Sequence, residues 1–477
     1  MTEFGKPIIL PLPQNNTRML TVEKIGGTSM SAMEDVLKNI VFFNRSKDDL
    51  YNRIFVVSAY TGVTNWLLED KKTGQHGVYH RIAEYKEFHN SLYDITEKLQ
   101  QINKKYQTLG LDLEAADRFI EQRIYDAENY LENLASVLAS GYVSDESILQ
   151  AAREILASIG ESHSAFNFTN ILLNREVNAT FIDLSGFHDH QPFTINERIT
   201  HSLKGIEFDK TICIVTGYAK GTEGIMREFD RGYSEVTFSK LATITKPVEA
   251  IIHKEYHLSS ADPTIVGIQN CVPIGFTNYD IADQLADVGM EAIHPKASKP
   301  LEINGINLRI KNTFQPEHPG TLITKDYISP VKRVEVITGT DKVIIVDIYD
   351  PLMVGSVGSD LRIMELFNAY KISYIFKTTN ANGISMVIWE KYFNKELIKQ
   401  LQDEFEKITI EQVAIVCIIG SNIDKPGVLA KAASALARAD INIKSGGFAL
   451  RKVNMQLIVA REDFKNAVIT LNKTMFF

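Results

Sequence analysis

The sequence predicts an α/β domain followed by two smaller α+β units. Three observations support this prediction. The chain opens with a strand, a glycine loop, a helix and a second strand; strand-like apolar segments then recur as far as about residue 325; and the segment beyond Val331 repeats itself. In α/β domains, ligands bind beyond the carboxyl ends of the strands. The loops that follow these strands are therefore the places to look for chemistry.

The first element is a strand, predicted for Met19 to Lys24 and followed by the tight loop IGGTS. A helix is predicted from Met30 to Phe43, because apolar residues recur there at helical spacing. The residues that form this apolar face are Met33, Val36, Leu37 and Ile40. The segment RIFVVSA, which follows the helix, is predicted as the second strand.

A helical layer is predicted from about Tyr79 to Ala157. Apolar residues recur there at three- and four-residue steps, proline is absent, and charged residues fill the other face. We interpret this layer as a packing element. Strands return at TFIDL, TICIVTG, EAIIH and INLRIKN, and a domain edge is marked by Pro316, Pro319, Gly320 and Pro330.

The C-terminal part contains an internal repeat. Gly358 and Gly427 are 427 − 358 = 69 residues apart, and Ile372 and Ile441 have the same separation. Each copy is predicted to run strand, loop, helix, strand. Two landmarks at one offset favour a tandem unit. The alternative is a chance likeness between two ordinary α/β segments.

Composition excludes several classes of protein. The chain has 477 residues, a formal net charge of −8 and no long run of like charges, which argues against nucleic-acid binding. Apolar stretches such as Val413 to Ile419 are far shorter than the roughly 20 residues that cross a bilayer. The three cysteines show no paired spacing, so we expect a reduced, cytoplasmic protein without a protein-held metal. Residues 1–18 do not resemble a signal peptide and are predicted to be a flexible tail.

The segment KIGGTS has the parts of a phosphate cradle. Glycines allow backbone N–H groups to converge on oxyanions, a helix N-terminus adds partial positive charge, and Lys24 supplies a full one. Because the chain is acidic overall, any anion site must concentrate positive charge locally. The alternative is a plain glycine turn between strand and helix.

Two further segments carry polar groups in suitable places. VVSAYTGVTN puts Ser58 and Thr64 just after a buried strand, where hydroxyls can bind a small polar substrate; helix capping by Thr64 or Asn65 is the alternative. GESHSA is predicted to begin a helix around Gly160. Glu161 could then bind a ligand ammonium group or serve only as a first-turn carboxylate.

A glycine-rich segment, TGYAKGTEGIMREFDRGYSEVT, contains the cationic side chain with the most specific binding geometry. Arg231 can bind a carboxylate through two parallel hydrogen bonds, a geometry that lysine does not offer. Its alternative is a surface ion pair with Glu228 or Glu235.

The ordered set KIGGTS, VVSAYTGVTN, GESHSA, DRGYSEVT, SSADP and AIHPKA resembles the aspartokinases of the amino-acid kinase family, and most closely their ectoine-associated branch. The resemblance implies a three-layer α/β sandwich of the amino-acid-kinase type, followed by two α+β ACT (ferredoxin-like) domains. It implies a catalytic domain at 19–330 and ACT domains at 331–405 and 406–477. The implied activity is transfer of the γ-phosphate of ATP to the β-carboxylate of L-aspartate, with Mg²⁺. A homodimer or higher homo-oligomer and an amino-acid effector at the ACT domains are also implied.

The resemblance also implies roles for individual residues. Lys24 would contact the transferred phosphoryl group, and Glu235 would stand where the family places an Asp that orients this lysine. The phosphates and nucleotide would be bound by Gly26, Gly27, Thr28, Ser29, Asp262 and Pro263. Aspartate would be bound by Ser58, Thr64, Glu161, Arg231 and Ser234.

The chain departs from the family pattern in two places. Glu235 replaces the family Asp and is one methylene longer, and Tyr233 replaces a Gly. The family nucleotide segment Trp-Thr-Asp-Val-Asp-Gly is replaced by Ile252 to His257, which leaves adenine recognition undefined. Two alternatives therefore stay open: a catalytically silent amino-acid sensor, and a kinase for another carboxylate or a carbamate.

Overall fold

The structure is a computed structural model, and it describes residues 20–70, 73–229, 232–290, 293–448 and 453–477. The predicted tail, residues 1–18, and Arg231 lie outside the described residues. The chain forms two compact units, the first comprising Met1–His257 and His294–Leu322, the second Leu258–Ile293 and Ile323–Phe477. The sequence did not indicate that Leu258–Ile293 belongs with the C-terminal unit. The boundaries at 330 and 405 stay predictions.

The strands follow the chain in this order: β1 Thr21–Ile25, β2 Arg53–Val57, β3 Ala179–Ile182, β4 Ile212–Thr216, β5 Glu249–Lys254, β6 Phe276–Asn278, β7 Leu308–Asn312, β8 Thr321–Thr324, β9 Val336–Tyr349, β10 Phe376–Thr379, β11 Gly383–Trp389, β12 Lys407–Ile419, β13 Ser445–Phe448 and β14 Asn454–Ala460. The α-helices are α1 Gly27–Ser31, α2 Met33–Asp35, α3 Val63–Leu67, α4 Val78–Ala83, α5 His89–Tyr106, α6 Leu113–Ser140, α7 Asp145–Asn174, α8 Ile195–Ser202, α9 Ile225–Phe229, α10 Tyr233–Thr245, α11 Pro263–Val266, α12 Tyr279–Asp287, α13 Pro295–Ile303, α14 Ser359–Ala369, α15 Lys395–Glu404, α16 Val428–Arg438 and α17 Phe464–Phe476.

The first unit is built on a parallel sheet in which six strands lie in the order β3-β4-β2-β1-β5-β7. All residues of β2 and β4 are buried, as expected for central strands covered by helices on both faces. The carboxyl ends of β1, β2, β4 and β5 meet at one edge. The loops that carry the predicted site residues follow these strands.

The helices of the first unit agree with the sequence prediction in most places. The predicted helical layer is formed by α4, α5, α6 and the first half of α7, which packs on β3 and β4. The predicted helix from Met30 to Phe43 is interrupted: α1 and α2 are followed by a π-helical turn, Val36–Val41. Arg53 donates hydrogen bonds to the carbonyl groups of Ile40 and Val41 at the end of this turn.

The second unit contains an antiparallel sheet in the order β10-β11-β9-β12-β14-β13. Each half of it follows the order strand, helix, strand, strand, helix. Gly358 and Gly427 precede α14 and α16 with φ angles of 94° and 96°. Ile372 and Ile441 are buried in the two corresponding cores. The sequence repeat thus corresponds to a repeated α+β unit. Within the described residues, no helix is long and apolar enough to cross a membrane.

Candidate active site

Lys24 and Glu235 form an ion pair at the carboxyl edge of the parallel sheet. Lys24 Nζ lies 3.5 Å from Glu235 Oε1, and both side chains are largely buried. The second oxygen, Glu235 Oε2, accepts a 2.6 Å hydrogen bond from the backbone N–H of His294. Burial acts to raise the pKa of Glu235, but the charges of Lys24 and Lys254 outweigh it and the pKa is lowered. Glu235 is therefore an ionised partner that fixes the position of Lys24.

The glycine loop lies between Lys24 and α1. Gly26 immediately precedes α1 and its N–H donates to the carbonyl of His253, 3.3 Å away, at the end of β5. Thr28 is exposed, whereas Ser29 is fully buried and its Oγ lies 2.7 Å from Thr313 Oγ1. The hydroxyl of Ser29 therefore anchors the loop to the segment after β7, and only its backbone is placed to take part in a phosphate cradle.

Glu161 is a buried carboxyl group in the middle of α7. It accepts a 2.6 Å hydrogen bond from Ser234 Oγ, and it is 1% exposed. Burial raises the pKa of Glu161 to about 8, although Ser234 and the charge of Lys24 act in the opposite direction. Gly217 makes room for this carboxyl group, since a Cβ there would lie 3.0 Å from Glu161 Oε1. The site thus holds an acid whose charge changes near neutral pH.

Ser58 and Thr64 lie in the loop and helix after β2. The Ser58 N–H donates to the Ile25 carbonyl at 3.1 Å, and the Ser58 carbonyl accepts from Ser164 Oγ at 2.9 Å. Ser58 therefore connects the ends of β1 and β2 to α7. Thr64 lies within α3, whose N-cap is Gly62 with a φ of 89°, so the capping alternative for Thr64 or Asn65 is wrong.

The predicted start of a helix at Gly160 is also wrong. The helix begins at Asp145, fifteen residues earlier, and Glu161 lies near its middle. A first-turn role for Glu161 is therefore excluded. The periodicity of the layer before Gly160 already reached Ala157, and the structure shows that it continues without a break.

Residues 19–312 match the sequence profile of the amino acid kinase family. The chain belongs to this family. Among its curated relatives is "Aspartate kinase Ask_Ect" of Stutzerimonas stutzeri, 44% identical over 464 residues, or 96% of this chain and 97% of the relative. "Aspartokinase 1, chloroplastic" of Arabidopsis thaliana is 27% identical over 369 residues, covering 73% and 64% of the two chains. The first relative places the chain among the aspartate kinases of the amino acid kinase family.

Solved structures support the same fold. The aspartate kinase of Clostridium acetobutylicum matches with a TM-score of 0.71 at 21% identity, covering 96% of this chain and 100% of that one. Aspartokinase III of E. coli, described "in complex with aspartate and ADP (R-state)", matches with a TM-score of 0.70 at 19% identity and the same coverage. The sandwich with a C-terminal α+β pair, predicted for this kinase, is confirmed.

The structure of the kinase brings Lys24, Glu235, Glu161 and Ser234 together. It places Asp262 and Pro263 in the second unit, where Asp262 is the N-cap of α11 and accepts hydrogen bonds from the N–H and hydroxyl of Thr264. Arg231 lies outside the described residues. The nucleotide role of Asp262 and Pro263 and the carboxylate role of Arg231 stay predictions.

A cluster of buried charged side chains that the sequence did not reveal lies on the face of β1 opposite Lys24. Glu23 is buried and binds Arg53 through both oxygens, at 2.6 and 2.9 Å, and His253 Nε2 at 2.8 Å. Burial acts to raise the pKa of Glu23. The charge of Arg53 and the hydrogen bonds from Arg53 and His253 nevertheless hold this pKa well below its usual range. This group ties β1, β2 and β5 together directly before the glycine loop.

A second carboxylate on α7 also binds the segment after β4. Glu154 lies seven residues, or two turns, before Glu161 on the same helix face. Its Oε2 accepts from Tyr218 Oη at 2.8 Å and its Oε1 from the Met226 N–H at 2.8 Å. A cavity of about 390 Å³ lies beside these residues, lined among others by Tyr130, Phe187 and Lys220. The helix α7 therefore holds both ends of the glycine-rich segment.

The two glycines of the loop provide a matched pair of variants. Gly27→Ala would place a Cβ 2.7 Å from the Ala59 carbonyl oxygen, whereas a Cβ at Gly26 would meet the His253 carbonyl oxygen at an ordinary 3.6 Å. Since backbone has to move in the first case, we expect Gly27→Ala to lower the free energy of unfolding by about 1–3 kcal/mol. Gly26→Ala should lower it by less than about 1 kcal/mol. Chemical denaturation of both variants checks this, and equal losses would contradict it.

Proposed function

We propose that this kinase transfers the γ-phosphate of ATP to the β-carboxylate of L-aspartate, giving 4-phospho-L-aspartate. The observation that supports this most directly is the grouping of Lys24, Glu235 and the buried Glu161 at one sheet edge. One cation lies beside a glycine loop, and one acid, 1% exposed, lies on the neighbouring helix α7. The high identity to an aspartate kinase supplies the substrate class.

The aspartate end of the site is proposed to be formed around α7. Glu161, when ionised, would bind the substrate ammonium group, and Ser234 would keep its carboxylate oriented through their 2.6 Å hydrogen bond. Arg231, three residues before Ser234, would bind a substrate carboxylate. Ser58 and Thr64 would line the remaining wall. This arrangement pairs the ammonium group and one carboxylate of the substrate with opposite charges from the protein.

The chemical step is proposed to be an in-line attack of the β-carboxylate on the γ-phosphorus. A carboxylate is already ionised at pH 7, so the reaction needs no general base. In such reactions the protein contributes mainly position and charge stabilisation. Lys24 would neutralise charge on the transferred phosphoryl group, and Glu235 would keep the ammonium group of Lys24 at the end of the glycine loop.

The nucleotide is proposed to be Mg-ATP, bound by Gly26, Gly27, Thr28 and the backbone of Ser29. Asp262 and Pro263 are proposed as further nucleotide contacts. The described residues contain no group of three or more His, Cys, Asp or Glu side chains that could hold a metal ion. The oxygens of Glu235 are engaged by Lys24 and His294. We propose that Mg²⁺ is held chiefly by the phosphate oxygens of the nucleotide.

Regulation is proposed to reside in the repeated α+β unit. The relevant likeness is to E. coli aspartokinase III described "in complex with lysine and aspartate (T-state)", which matches with a TM-score of 0.67 at 20% identity. We propose two ACT domains, at 331–405 and 406–477, a small amino-acid effector and a homodimer or higher homo-oligomer. A cytoplasmic location and a product used for aspartate-derived amino acids or ectoine belong to the same proposal.

The proposed activity is tested by trapping the acyl phosphate. Purified protein with Mg-ATP, hydroxylamine and aspartate should form aspartyl hydroxamate, and glutamate in parallel should give little product. Product from glutamate alone would transfer the assignment to another carboxylate. A folded protein that yields no product from either, yet binds an amino acid, would replace the kinase proposal with an amino-acid sensor.

A further inference from the structure

Lys254, at the end of β5, lies beside the glycine loop. β1 and β5 are parallel neighbours in which Lys24 is paired with Ile252 and Ile25 with His253. The hydrogen bond from the Gly26 N–H to the His253 carbonyl continues this pairing by one step. The next residue of β5 is Lys254, and it is therefore adjacent in register to Gly26.

The same register places Lys254 and Lys24 on one face of the sheet. Paired residues of parallel strands project to the same side, and side chains alternate along a strand. Lys24 shares its side with Ile252, and Ile252 shares its side with Lys254. Glu23 and His253 occupy the other side, as their 2.8 Å contact confirms. The two lysines thus emerge toward the same volume at the edge where the glycine loop lies.

Glu235 connects the two lysines electrostatically. It is in contact with Lys24, and both Lys24 and Lys254 contribute to lowering its pKa. Lys24 and Glu235 alone have no net charge. Lys254 adds a second positive charge that acts on Glu235. A polyphosphate on the glycine loop needs such local positive charge, because the protein as a whole has a net charge of −8.

We propose that Lys254 is a second cation for the phosphate chain of the nucleotide, acting beside Lys24. This inference deepens the proposed function and rests on it for the identity of the nucleotide. Glu235, which is paired with Lys24 and interacts electrostatically with Lys254, reduces the repulsion between the two lysines.

A purely structural role for Lys254 makes different predictions. If Lys254 only stabilised the folded chain, its removal would lower thermal stability and affect ligands with and without phosphates alike. If it binds phosphates, the loss should grow with the number of phosphates. ATP, ADP and adenosine therefore separate the two roles.

The experiment measures the affinities of the full chain for ATP, ADP and adenosine by titration calorimetry without aspartate. We compare Lys254→Met, Lys254→Gln and Lys254→Arg, with Lys104→Met at an exposed position of α5 as the matched control. Lys254→Met and Lys254→Gln should raise the Kd for ATP about tenfold or more, since a charge-assisted hydrogen bond is lost. Adenosine affinity should change less than about twofold, and Lys254→Arg should retain most of the ATP affinity.

Two outcomes would overturn the inference: unchanged ATP affinity in both neutral variants, or equal losses for ATP and adenosine. If Lys254→Met does not fold, the ratio of ATP affinity to adenosine affinity in Lys254→Gln tests the inference instead. The proposed function is judged separately, by hydroxamate formation in the unsubstituted protein. The protein could bind ATP in a manner that depends on Lys254 and yet not phosphorylate aspartate. This result would leave the inference intact and overturn only the assignment of aspartate as the substrate.

Discussion

Replacing Lys24 by alanine is expected to lower kcat by about 10²–10³-fold, the loss that follows removal of one preorganised group that stabilises transition-state charge. The structure gives the reason: Lys24 is the cation held at the glycine loop by Glu235, with 3.5 Å between Nζ and Oε1. The variant also leaves Glu235 as a buried carboxylate with one cation fewer, so its negative charge would repel the phosphates. The measurement is steady-state phosphorylation of aspartate at saturating ATP.

A suitable control for Lys24→Ala is Lys38→Ala, at an exposed position of the π-helical turn. It removes the same charge from the same unit without touching the sheet edge. Lys38→Ala should keep kcat within about twofold, because exposed lysines contribute little to distant sites. Similar activities of the two variants, with both folded by circular dichroism, would remove Lys24 from the mechanism.

The second large effect is a pH dependence of aspartate binding set by Glu161. Its pKa is raised to about 8 by burial, so at pH 7 the unliganded site holds mostly the neutral acid. Binding the substrate ammonium group favours the carboxylate, and the proton must leave. The KM for aspartate should therefore fall as pH rises from 6.5 to 8.5, by up to about tenfold per pH unit below the pKa. Calorimetry in buffers of different ionisation enthalpy should detect proton release.

Substituting Glu161→Gln should separate function from stability. The folded pKa lies above the unfolded value near 4.5, so the folded state binds the extra proton, and stability falls as pH rises from 4.5 to 8. The glutamine variant lacks this loss. Relative to the unsubstituted protein it should gain stability with rising pH, by at most roughly 5 kcal/mol at pH 8.5.

The same variant should bind aspartate at least about tenfold more weakly, without the pH dependence, because the charged partner of the ammonium group is gone. Glu146→Gln, exposed in the first turn of the same helix, is the matched control and should change neither property. Denaturant unfolding and aspartate titration at pH 6 and 8.5 check both. A Glu161→Gln protein that keeps the pH dependence of KM would assign it to another group.

The sequence motifs pointed to Lys24, Glu161 and Ser234, and the structure places these three side chains close together. Each follows or faces the end of a strand with a strong apolar signal, and parallel strands bring their ends to one edge. The fold class was predicted for the same reason. The repeat beyond Val331 was also found from sequence, because equal spacing of Gly358 and Gly427 reflects the same left-handed residue before each helix.

Other features could not be found in this way because they depend on contacts between distant segments. The π-helical turn at Val36–Val41 shares its apolar residues with an ordinary helix, and six residues are too few to distinguish the two periods. Its end is held by Arg53, from the next strand. The burial of Ser29 depends on Thr313, which is 284 residues away. The alternation of side chains along β5 could have placed Lys254 on the same face as Lys24, but only once the register of β5 against β1 was known.

The sharing of one sheet by both C-terminal repeats has a consequence for how this chain can be divided. β9 and β12 are neighbours in the sheet from Lys407 opposite Tyr349 to Ile419 opposite Val336. A chain ending near residue 406 would leave the 14-residue β9 as an open edge, with unpaired backbone groups along one side. Long exposed edges recruit other strands and lead to aggregation. The first repeat therefore depends on the second for its solubility, and the two have to be gained or lost together.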